Sequence, residues 1–214
     1  MNVLAQTTFT FPISAFIPLA VGFFGLGVGY LIYGAQELFA LPERNRSVDL
    51  TTGLWGILMP GFMQFLTGIY LWVGLAWIHS FDTPALYMAA LAFTAYGVHW
   101  FALGLVRALG GDPRPNEFMA IAFTVISVLG IIVFFKADDW PVGLLFVGLT
   151  CVYVSEFFAG MFRSMIPGLR AEPRTVNAVA ERTLGFVRLL TGGWLMYLTF
   201  AATLNMASGM NLPL

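Results

Sequence analysis

Residues 118–135 read FMAIAFTVISVLGIIVFF, and no charged side chain interrupts them. A bilayer's hydrocarbon core is about 30 Å thick, which a helix crosses in roughly 20 residues. A membrane-spanning barrel strand would instead alternate apolar and polar residues over about ten positions. Gly130-Ile131-Ile132-Val133-Phe134-Phe135 is continuously apolar, so the stretch is helical. Five further charge-free runs surround it: 1–36, 50–81, 83–106, 140–155 and 189–214. The 140–155 run reaches spanning length only by continuing through Glu156 to about residue 161. A charge inside hydrocarbon costs several kcal/mol, so these gaps predict six helices at about 13–38, 51–78, 84–107, 117–136, 140–162 and 185–206. The fold class is all-α: one polytopic transmembrane domain over 1–214, with no extramembrane domain. The first 36 residues lack the basic start of a signal peptide and are expected to be retained.

Composition agrees. Apolar residues make up 59% of the chain and charged ones 10%, with a mean hydropathy of +0.83. Soluble domains carry roughly 45–50% and about 25%, which argues against a soluble enzyme. Ten basic and eleven acidic residues leave a net charge of −1, so there is no positive field to hold nucleic acid. Cys151 stands alone, which rules out an intramolecular disulfide.

The basic residues are unevenly placed. Arg44, Arg46, Arg107, Arg114, Arg163, Arg170, Arg174, Arg182 and Arg188 fall in or beside the first, third and fifth connections, and Lys136 alone falls on the other side. The positive-inside rule then puts those three connections in the cytoplasm and both termini outside. The predicted location is the cell (inner or plasma) membrane. The fifth connection, Arg163 to Thr183, is the only long one. It reads as a solvated linker, with Val176–Arg182 a candidate short amphipathic turn and a binding role the lesser reading.

Within the helices, Gly25 and Gly29 form a small-xxx-small pair, which predicts oligomerisation through the first helix. Pro60 before Gly61 predicts a kink that frees a carbonyl near mid-membrane. Phe93, Tyr96 and Trp100 recur at helical spacing with His99 beside them, giving one aromatic face with polar tips. Glu156 is the acid set well inside a span. Either it faces a path and couples protons, or it pairs with Arg163 or Arg188. His79 and His99 are too far apart along the bundle to ligate one haem, and neither has a ligand partner at metal spacing. No cofactor, metal or catalytic motif is predicted, and the chain is not expected to be an enzyme.

Ala92-Phe93-Thr94-Ala95-Tyr96-Gly97-Val98-His99-Trp100 resembles the A-F-T-x-Y-G-x-x-W signature of the acetate/succinate uptake transporters. Gly61-Phe62-Met63-Gln64-Phe65-Leu66-Thr67-Gly68, Leu149-Thr150-Cys151-Val152 and Thr203-Leu204-Asn205-Met206 through Leu212-Pro213-Leu214 are similar, in order, to further segments of that family. The resemblance implies a six-helix protomer in a hexameric homo-oligomer, each protomer carrying a path for small monocarboxylates. It places the constriction at Phe23, Tyr96 and Leu149. Gln64, Thr94, His99 and Asn205 are the candidate polar groups of the path, and Glu156 is the proton-coupling candidate. The family's N-P-x-P-x-G segment is absent; Phe11-Pro12-Ile13-Ser14 stands there. The resemblance also implies cytoplasmic termini, opposite to the charge count. The reading is a channel-like permease for acetate or similar monocarboxylates in contact with membrane lipid, passing the neutral acid or the anion with a proton, since a bare carboxylate meets a large Born penalty. Two alternatives stay open. One is a urea or short-chain amide channel, which the charge bias and Glu156 resemble; the other is a non-transporting subunit of a larger membrane complex.

Overall fold

The computed structural model describes residues 16–164 and 174–214. Six helices account for nearly all of them: α1 Phe16–Phe39, α2 Arg46–Trp77, α3 Ala85–Leu109, α4 Arg114–Lys136, α5 Trp140–Ser164 and α6 Arg174–Ser208. Each is long and apolar enough to cross a membrane. Each coincides with one predicted span, and the clearest difference is at α6. That helix begins at Arg174 rather than 185, because a gap between charges marks the hydrocarbon segment and not the polar turns beyond it. Val176–Arg182 therefore belongs to α6 and is not a separate surface turn. Phe11–Ser14, Arg170 and the side chain of Arg163 lie outside what is described.

Short connections follow from local chemistry. Asn45 caps α2, its side-chain oxygen accepting from the Val48 amide at 3.0 Å, and Asp139 does the same for α5 through Val142 at 3.1 Å. Each satisfies an amide with no partner inside its helix. α3 stops at Gly110, whose φ of +72° suits glycine, and the Gly111 amide returns to the Val106 carbonyl at 2.8 Å.

Pro60, at the expected kink, does not interrupt α2. It sits in a π-helical segment, Ile57–Met63, inside an uninterrupted run. Proline has no N–H for the carbonyl four residues back and crowds it. Widening to i→i+5 bonding relieves the crowding and passes that carbonyl to the next amide. Consecutive helices pack side by side in chain order, and α6 closes back along α1. The bundle is thus a ring with an interior.

The glycines of α1 turn inward, which corrects the expectation that they join protomers. A Cβ on Gly25 would lie 2.6 Å from the Met59 carbonyl oxygen, and one on Gly29 2.7 Å from the Pro60 ring. Their missing side chains let α1 seat on the π-helical segment of its own chain.

Candidate functional site

An apolar cavity of about 80 Å³ opens between α1, α3 and α5, at the end of the bundle opposite the arginines. Phe23, Tyr96 and Leu149, the three residues expected at a constriction, all line it. Phe23 packs on Phe93 with ring centroids 5.6 Å apart. The Ser127 hydroxyl donates to the Phe123 carbonyl at 2.7 Å. The Tyr96 hydroxyl, 2.9 Å from Ser127 Oγ, is therefore the donor of that pair. Gln64 from α2 also lines the cavity. It is 1% exposed, and neither amide atom has a hydrogen-bond partner. Asp139 stands at the same cavity. Burial pushes its carboxyl above the ordinary carboxylate range, and the Val142 amide pulls against that shift.

Beyond Tyr96 the interior is filled. Tyr30, His99, Trp100, Phe123 and Tyr153 are all buried. Tyr153 stacks on Tyr96 at 5.5 Å and on Phe123 at 5.2 Å, and His99 meets Phe123 at 4.6 Å. His99 Nδ1 and Trp100 Nε1 have no partner here. From Leu149 to Glu156 along α5 is seven residues, so this aromatic barrier is about 10 Å deep.

Below it lies a vestibule of about 250 Å³ at the arginine-rich end. Arg188 from α6 pairs with Glu37 of α1, and its Nη2 lies 3.1 Å from Glu156 Oε1. Arg107 from α3 reaches Asp49 at 3.0 Å and also donates to Gln36, whose Nε2 donates to Thr52 at 2.9 Å. The Tyr33 ring faces both guanidinium groups, 4.6 Å from Arg107 and 5.9 Å from Arg188. Buried ions persist where partners meet most of their hydrogen-bonding needs, and these pairs tie together five helices, α1, α2, α3, α5 and α6.

Glu156 thus pairs with Arg188, one of the two partners expected for it, and also lines the vestibule. Two candidate polar residues line neither of these two cavities. Thr94 donates to the Ala90 carbonyl at 2.7 Å and accepts the Trp72 indole at 3.0 Å, against α2 and away from both cavities. Asn205 bonds the Leu212 backbone twice, at 2.9 and 2.8 Å, and clamps the C-terminal segment. Both positions satisfy themselves locally. Arg188, Glu37, Asn116 and Asp139 were not singled out by sequence as path residues. In the sequence Arg188 marked the edge of a charge-free run and stood as one possible partner of Glu156.

Six spans in a ring, with an apolar cavity and a charged vestibule divided by a plug of aromatic side chains, define a multi-pass membrane protein with a built interior. No family model and no curated protein sequence matches the chain. Among solved structures the chain is similar to the bacterial acetate channel SatP. The TM-score is 0.65, over 92% of this chain and 97% of that one, at 18% identity. The chain has the fold of that channel.

Proposed function

We propose that the chain is a channel-like permease for acetate or similar small monocarboxylates, working as a homo-hexamer in which each protomer carries its own path. The observation that carries this reading is the Gln64 amide, buried and without partners at an otherwise apolar cavity of about 80 Å³. The cavity has room for a few heavy atoms, at roughly 30 Å³ per water. The amide offers donors and an acceptor to a carboxyl group while Phe23, Tyr96 and Leu149 enclose its alkyl end. Crossing the aromatic barrier favours the neutral acid or an anion accompanied by a proton. The likeness to an acetate channel supports the same substrate class.

Proteoliposomes holding the purified protein should take up radiolabelled acetate faster than protein-free vesicles. Tyr96→Ala removes the ring that stacks on Tyr153, and should admit longer carboxylates such as butyrate or benzoate or raise the basal leak. Uptake of urea instead of acetate would overturn the proposal, and so would no flux above the lipid background.

A further inference from the structure

Arg188 is 3% exposed and sits between two carboxylates, Glu37 and Glu156. With both acids ionised the group carries a net charge of −1, in surroundings where an uncompensated charge is costly. All three side chains line the vestibule, so small solutes entering it meet them. Two donors on the same walls lack partners: Arg188 Nε and Asn116 Nδ2, the latter on a residue 6% exposed. Buried donors of this kind are normally satisfied, and an anion supplies what they lack.

We propose that the vestibule is a carboxylate-loading site, in which a small carboxylate replaces Glu156 on the Arg188 guanidinium and the displaced Glu156 takes up a proton from the vestibule. The site rests on the permease reading above and adds how substrate and proton are linked. The exchange balances. One anion and one proton arrive, the only covalent bond formed is the O–H on Glu156, and the total charge stays at −1. Loading therefore adds no net charge to the interior. Glu156 is the carboxylate that yields because its side chain is the more buried of the two, 10% exposed against 20% for Glu37. It is also the acid adjoining the aromatic barrier. The titratable and charged groups around this pair are Tyr30, Tyr33 and Glu37 from α1, Arg44 from the connection after it, Asp49 from α2, His99 and Arg107 from α3, Tyr153 from α5 and Glu181 from α6. From α4 the vestibule receives Asn116, which does not titrate.

The test measures [14C]acetate binding to the full-length protein in nanodiscs, with proton uptake followed by a pH indicator in weak buffer. Wild type should take up about one proton per acetate, and where it does so its affinity should fall about tenfold per pH unit, as linkage requires. Glu156→Gln mimics the protonated acid and leaves Arg188 its Glu37 partner. It should bind acetate without proton uptake and with a flat pH profile. Asn116→Leu should weaken binding about tenfold, one hydrogen bond's worth, with the proton ratio unchanged. Acetate binding by wild type without proton uptake would overturn the exchange, as would a Glu156→Gln profile identical to wild type. In either case acetate flux in proteoliposomes would leave the permease reading standing. Absence of both binding and flux in wild type would overturn the two together.

Discussion

Gln64 holds a side-chain amide in a nearly solvent-free position with no partner on either atom. Leaving such a group unsatisfied costs about 1–3 kcal/mol, whereas an apolar side chain of similar shape is neutral or stabilising. Gln64→Leu should therefore hold or raise the thermal midpoint in detergent and lower acetate uptake by about tenfold or more, the equivalent of one to two lost hydrogen bonds. A destabilised variant with normal uptake would make Gln64 a structural residue. The resemblance named Gln64 as a polar group of the path, but that its amide stands without partners could not be read from sequence. Phe23, Tyr96 and Leu149 were matched through the family resemblance, and for Tyr96 the matching motif coincides with an aromatic face at helical spacing. Thr94 and Asn205 carried similar motif signals, yet both spend their hydrogen bonds on neighbouring backbone and side-chain groups. Which way a polar side chain turns depends on neighbours that a motif does not contain. The Arg188–Glu37 pair joins residues 151 positions apart, a separation that no local pattern reports.

Among the elements, α1 and α2 show how far charge gaps lead and where they stop. Both spans were legible because hydrocarbon tolerates so few charges. The mate of the α1 glycines was not, since a small-xxx-small pair states only that something approaches closely. The structure puts the π-helical segment of α2 there: Gly25 against Met59, and Gly29 against Pro60. The proline that widens α2 thus also lies against α1. Gly25→Leu has to displace backbone rather than the tip of a flexible side chain. Overpacking of that kind costs typically 1–3 kcal/mol and sometimes more. The variant should lower the unfolding temperature of the protomer itself, seen as early loss of helical signal on heating. A stable protomer that merely fails to assemble in native mass spectrometry would return Gly25 to an inter-subunit contact.

At the scale of the whole molecule the path is asymmetric. The apolar cavity lies at one end, and the vestibule, which gathers Arg44, Arg107 and Arg188, lies at the other. That second end carries the Arg-bearing first and third connections, whereas Lys136 stands at the apolar-cavity end. Positive charge is retained on the cytoplasmic side during insertion. The charged vestibule should therefore open to the cytoplasm, and the apolar cavity to the outside. The family resemblance implies the reverse for the termini, so the orientation separates two lines of sequence reasoning. Single cysteines decide it in a Cys151→Ala background. Asp82→Cys lies in the connection before α3 and Asp112→Cys in the one after it, and both positions are exposed. Asp112 pairs only with nearby exposed Arg114 among the ion pairs described, so its loss should leave the fold unchanged. A membrane-impermeant maleimide applied to intact cells should label Asp82→Cys and spare Asp112→Cys until the membrane is opened. The opposite pattern would turn the loading site outward. The Arg188–Glu156 exchange would then collect carboxylate and proton from the same external solution, and wild-type uptake would respond to external rather than internal pH.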